Sequence, residues 1–285
     1  MTHIIQNNIL KAQFSNKGAE LISLKYYDNE LIWSAQEPWK RHAPILFPIV
    51  GKLKDDFYYY QNQKYFLPQH GFARDKEWLC TYQNDNTIEF ELTDDTDTFK
   101  YYPFHFSVIV RYQIIDTSLY IHFCVFNPYH YPLPFSIGYH PAFYLPDSLN
   151  NYTLSFFPSQ KEIKRTLLTN GLLSHQKQII TLQNSQLTLH SNLFSNDAIV
   201  IENTDISKIS MQFKNFILNL HTGNAKNLGI WTKPNCNNFI CLEPWMGIAD
   251  VENHNHIIEQ KKDIILLPAY QRWEWEIIMN IQKTT

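Results

Sequence analysis

Apolar and polar residues alternate with a period of two along almost the whole 285-residue chain, and no stretch of ten or more residues carries a convincing 3.6-residue period. Period-two alternation marks strands with one buried face, so the backbone must satisfy its hydrogen bonds by pairing in sheets. Phe106, Val108, Val110, Tyr112 and Ile114 share one face, Leu119, Ile121, Phe123 and Val125 another, and Asp116-Thr117 supplies the turn between them. The same logic predicts hairpins joining 21–27 to 31–33 around Asp28-Asn29-Glu30, and 209–213 to 216–220 around Lys214-Asn215. Trp273, Trp275 and Ile277 alternate with Glu274 and Glu276, which predicts a half-buried final strand.

Many short strands without intervening helical patterns point to an all-β fold, a large antiparallel β-sandwich, rather than an α/β architecture. No G-x-G-x-x-G, G-x-x-x-x-G-K-[ST] or G-x-S-x-G occurs, so dinucleotide, P-loop and hydrolase-elbow chemistry lack their usual anchors. No repeat or Pro/Ser-rich linker divides the chain, and a single domain over 1–285 is expected. Hydrophobic residues at 44% suffice for one large core, and only 8 glycines argue against long flexible segments.

A net charge of −3, with Lys and Arg scattered, leaves no basic stripe for nucleic acid. No apolar run approaches the roughly 18 residues of a membrane span, and the first residues, MTHIIQNNIL, do not read as a signal peptide. A cytoplasmic location is therefore expected, with a homodimer possible. Cys80, Cys124, Cys236 and Cys241 lie in strand-like surroundings without C-x-x-C spacing and read as reduced core thiols.

Three segments interrupt the strand pattern with polar groups in apolar settings, where chemistry tends to reside. In LPQHGFARDKEW (67–78), Pro68 and Gly71 bracket His70 in a tight turn and Arg74 follows, so an imidazole and a guanidinium could converge; the plainer alternative is a solvated loop. In FSIGYHPAFYLP (135–146), His140 precedes Pro141, which favours extended backbone; the alternative is a satisfied core histidine. In FICLEPWMG (239–247), alternation puts Ile240 and Leu242 on one face, and Cys241 and Glu243 on the other. A carboxylate at the end of a hydrophobic strand is desolvated, which raises its pKa and strengthens it as a proton acceptor; the alternative is a structural ion pair with Arg. A metal site built on some of the 12 histidines, especially His254-Asn255-His256, would need at least one further ligand with fixed geometry, and this pair lies in a polar, Asn/Glu-rich loop.

PILFPIVGKL (44–53), LPQHGFAR (67–74), GYHPAF (138–143) and CLEPW (241–245), in that order, resemble the motifs of the aldose 1-epimerase, or galactose mutarotase-like, family. HGFAR with GYHPAF is nearest the hexose-6-phosphate 1-epimerase branch. The resemblance implies the family's supersandwich fold and a cofactor-independent, metal-free isomerase acting on a sugar or sugar phosphate. It also implies Glu243 as base, His140 as acid, His70 as a second active-site histidine, and Arg74 and Asp197 as hydroxyl-binding groups. Arg41 matches the position where the sugar-phosphate branch carries a basic residue. Trp245 or Phe72 is expected to pack against a pyranose face. A non-catalytic carbohydrate-binding sandwich is the alternative function.

Overall fold

The computed structural model describes residues 1–284. Its largest sheet has nine strands, in the order Gln186–Thr188, Thr153–Phe157, Lys208–Gln212, Phe216–His221, Arg272–Lys283, Ser118–Phe126, Ser107–Ile115, Thr87–Thr93 and Leu79–Gln83. The second runs Leu172–Thr181, Glu162–Thr169, Ile199–Ile201, Asn227–Trp231, Phe239–Met246, Ile137–Tyr139 and Ile45–Leu46, and Ala142–Tyr144 pairs with Phe239–Met246 as its eighth strand. Every pairing within the two is antiparallel. Among the described residues the only helical pieces are 3₁₀ turns of three or four residues, and no helix is long and apolar enough to cross a membrane.

The inner faces of the two sheets meet in one core. Val108, Val110, Ile121, Phe123, Trp275 and Ile277 from the larger sheet join Leu228, Ile230, Ile240 and Leu242 from the smaller. Phe123 reaches Tyr139 across the interface with ring centroids 6.0 Å apart. Burying each such side chain is worth roughly 1.5–3 kcal/mol, and a one-residue slip would carry the whole set to the other face, so registers are tightly specified. An N-terminal four-stranded sheet, Thr2–Gln6 to Asn29–Glu30, extends the core by packing Phe14 on Tyr112, with ring centroids 4.5 Å apart.

The meander, the 208–221 hairpin and the last strand form as expected, and the last strand runs longer, over Arg272–Lys283, at the middle of its sheet. The first hairpin differs. Its turn is Tyr27-Asp28, with Tyr27 at φ 49°, and its second arm is only Asn29–Glu30. The Glu30 carboxylate accepts the N–H groups of Leu24, Leu31 and Ile32 at 3.0–3.1 Å and turns the chain away from the hairpin. Ile32 then bridges to Phe143, and the Trp33 N–H donates to the Ala142 carbonyl. All four cysteines are free, and Cys80, expected in the core, is partly exposed because it lies on the edge strand Leu79–Gln83.

Candidate active site

The site is built on the outer face of the smaller sheet, turned away from the core. Along Phe239–Met246 the inward residues Ile240 and Leu242 belong to the main core, and the opposite parity carries Cys241, Glu243 and Trp245. The neighbouring segment pairs twice with this strand, Gly138 with Trp245 and Ala142 with Cys241. Continued through the proline-interrupted stretch between, the same register sets His140 opposite Glu243. Antiparallel neighbours on one face lie within side-chain contact, and His140 Nε2 is 3.0 Å from Glu243 Oε2. On the other side Gly229 pairs with Glu243. Gly229 and Gly138 leave room for the Trp245 indole, which a Cβ would meet at 2.4 and 2.7 Å respectively.

Glu243 is 2% exposed and His140 8%. Burial, reinforced by the nearby charge of Asp197, raises the Glu243 carboxyl well above the usual range. Burial, with the positive charges of Arg74 and Arg41, lowers His140 to about 3. Burial therefore favours the neutral form of both groups. The imidazole stacks on Trp39, with centroids 5.1 Å apart and planes 21° from parallel.

His70 arrives from a different loop, held at φ 69° by a two-way clamp. Its own N–H donates to the Gly51 carbonyl at 2.9 Å, and the Gly51 N–H donates to its Nδ1 at 3.1 Å. Nδ1 thus carries the lone pair, and the proton of the neutral ring resides on Nε2. Burial, followed by the neighbouring His140 imidazole and the positive charge of Arg74, pushes the His70 imidazole well below its ordinary value. The next residue, Gly71 at φ 69°, is required because a Cβ would fall 2.3 Å from the Phe47 carbonyl oxygen. Arg74 is oriented by donating from Nη2 to the Gln69 carbonyl at 2.6 Å, and burial brings its guanidinium down to about 10.

These groups line a cavity of about 540 Å³ together with Trp39, Gln69, Leu173, Asp197, Val200, Trp231, Lys233 and Trp245. That size falls within the roughly 300–1,000 Å³ typical of small-molecule sites. His140, Glu243, His70, Arg74 and Asp197 all face it. Arg41 is not among its lining residues and pairs instead with Asp75 at 3.0 Å. Phe72 lies in the main core, 6.1–6.4 Å from Phe47, Tyr102 and Phe106 by ring centroids, so of the two aromatics expected at the sugar only Trp245 reaches the cavity.

Sequence reasoning missed Trp39, Trp231 and Lys233. For Trp231 the alternation of Asn227–Trp231 was a usable signal; Trp39 stood in a polar stretch, QEPWK, where an exposed indole is itself unusual. His254 and His256 do not share a metal site: His254 Nδ1 meets Asp250 at 3.3 Å, and His256 Nε2 meets Asp55 at 3.0 Å. Asp250 also binds the fully buried Lys261 ammonium at 2.9 Å, and this network backs the cavity wall at Ile248 and Ala249. The one cluster of metal-ligating side chains among the described residues is His140, Cys241 and Glu243, whose donor atoms lie within 4.8 Å of one another.

The chain is similar to known proteins over nearly its full length. The family model for aldose 1-epimerase matches residues 1–261. The chromosomal LacX protein of Lactococcus lactis is 31% identical over 280 residues, covering 93% of this chain and 94% of the relative. A galactose mutarotase related enzyme from Lactobacillus acidophilus superposes with a TM-score of 0.94 at 34% identity, covering 100% of this chain and 98% of that one. A galactose mutarotase-like protein from Lactobacillus casei gives 0.91 at 26% identity, covering 99% and 100%. The sandwich fold, the family match over residues 1–261 and the relatives matched over nearly their full length lead to one assignment: this chain belongs to the aldose 1-epimerase family.

Proposed function

We propose that the protein is a mutarotase, interconverting the α and β anomers of an aldose or aldose phosphate by opening and reclosing the pyranose ring. The observation that carries this reading is the buried contact of 3.0 Å between His140 Nε2 and Glu243 Oε2 on the wall of a sugar-sized cavity. Mutarotation needs a base for the proton of the anomeric hydroxyl and an acid for the ring oxygen. A carboxyl and an imidazole that share one mobile proton meet both needs.

Before substrate binds, the proton rests on Glu243, because burial disfavours both charged forms. Its passage to His140 produces a carboxylate and an imidazolium. The incoming pyranose takes the place of the direct contact, with O1–H donating to Glu243 and the ring oxygen accepting from His140. Glu243 removes the O1 proton as His140 protonates the ring oxygen, and the C1–O5 bond breaks to give the open aldehyde. Rotation about C1–C2 presents the other carbonyl face, and the reverse transfers reclose the ring. The His70 Nε2–H donates to the oxygen that gains negative charge, and Arg74 and Asp197 hold hydroxyls. The sugar's apolar face rests on Trp245. No step calls for a cofactor.

The test is an anomer-exchange NMR assay across glucose, galactose and their 6-phosphates. Accelerated exchange in at least one of the four is the expected result. Saturable binding with exchange at the uncatalysed rate would instead mark a carbohydrate-binding sandwich that has lost turnover.

A further inference from the structure

We infer that His140, Cys241 and Glu243 form a binding site for Zn²⁺ or a similar thiophilic divalent ion, and that occupation of this site shuts the enzyme off reversibly. The inhibition rests on the roles proposed for His140 and Glu243; the binding site does not. The donor set is one imidazole nitrogen, one thiol sulfur and one carboxylate oxygen, all within 4.8 Å of each other. Zinc is commonly held by three such protein ligands with its fourth position left for water or substrate. His140 and Glu243 line the cavity, so an ion held between them and the Cys241 sulfur behind would open its fourth position toward it. The sulfur donor selects against Mg²⁺ and Ca²⁺, which take oxygen ligands.

The donors are held in place by backbone pairing. Cys241 and Glu243 are alternate residues on one face of Phe239–Met246, and the strand carrying Ala142 pairs directly with Cys241, two residues beyond His140. Cys241 is fully buried and Glu243 nearly so. Charge balance favours the ion: a thiolate and a carboxylate cancel the two charges of Zn²⁺, leaving a neutral buried centre. Binding forms Zn–N, Zn–S and Zn–O bonds and releases the Cys241 thiol proton and the Glu243 carboxyl proton to solvent, so affinity falls as pH is lowered.

The absence of a supporting shell distinguishes a reversible inhibitor from a resident metal. A ligating histidine normally donates its second ring nitrogen to a fixed acceptor, and losing that partner costs about 10–100-fold in affinity. His140 Nδ1 is buried and makes no hydrogen bond among the described residues. The ion would occupy the contact between the two proton carriers and exclude the sugar from both.

Cobalt supplies a readout independent of activity. Titrating Co²⁺ into the full-length protein should give a thiolate-to-cobalt charge-transfer absorption saturating at one equivalent and displaced by Zn²⁺. Cys241→Ser should abolish the absorption while its circular dichroism matches the wild type, and Cys80→Ser should keep it. Zinc should slow anomer exchange, EDTA should restore it, and Cys241→Ser should raise the zinc concentration needed by about tenfold or more. No thiolate absorption in the wild type, or undiminished absorption in Cys241→Ser, would overturn the site. A normal cobalt spectrum with anomer exchange undisturbed by saturating zinc would overturn the inhibition and, with it, the proton-carrying roles of His140 and Glu243.

Discussion

Replacing Glu243 with glutamine separates chemistry from packing at the centre of the site. The two side chains have nearly the same shape, and the amide keeps a polar partner 3.0 Å from His140 Nε2. Because burial already disfavours the Glu243 carboxylate, a permanently neutral amide adds no desolvation cost. The folded protein should therefore change in stability by less than about 1 kcal/mol, a shift of only about 2–4 °C in thermal midpoint for a chain of this size. The amide cannot take a proton from O1. A general acid–base group contributes about 10²- to 10⁴-fold, so kcat should fall by that factor, equivalent to about 3–5 kcal/mol on the barrier. Polarimetry on freshly dissolved α-glucose, or on the aldose that responds best by NMR, measures the rate, and urea denaturation measures the fold. Undiminished turnover in a folded Glu243→Gln protein would refute the assignment of the base. A large loss of stability accompanying the loss of rate would instead show that the carboxyl serves the structure.

His140→Asn should lose kcat by a similar factor in the same assay. His70→Ala, which removes a fixed N–H donor, should lower kcat by roughly 10²-fold if that donor meets developing charge, and a change confined to KM would assign it to binding alone. Gly229→Ala drives a Cβ to 2.4 Å from the Trp245 indole, so it should destabilise by about 1–3 kcal/mol in urea titrations and weaken substrate binding by displacing the ring. Burial by itself would raise Asp250, but the hydrogen bond to His254 and the charge of Lys261 outweigh it and hold the carboxyl at about 2, below its ordinary 3.8. A depressed carboxyl stabilises the fold above its unfolded pKa, and that contribution is lost as pH falls through the folded value. Asp250→Asn, which strands a buried ammonium, should cost about 3–5 kcal/mol at pH 7. Denaturation curves should show the gap to wild type narrowing by about 2 kcal/mol between pH 4 and pH 2; a gap independent of pH would refute the pairing.

Local pattern determined which face each residue takes. The alternation of Phe239–Met246 places Glu243 away from the core from sequence alone, because side-chain direction in a strand depends only on parity. The turn at His70-Gly71 was legible for a similar reason, since left-handed backbone and close approach to Phe47 both call for glycine at 71. Partnership was not legible. Parity does not say which strands lie side by side, and pairing between distant segments depends on how the whole core fills. Only the assembled sheet brings His140 across from Glu243, draws Leu31–Trp33 from its own hairpin to the 142–144 strand, and sets Trp39 against the imidazole. The same non-local choice joins Arg41 to Asp75 and sends Phe72 into the core, two outcomes that neighbouring residues along the chain do not encode.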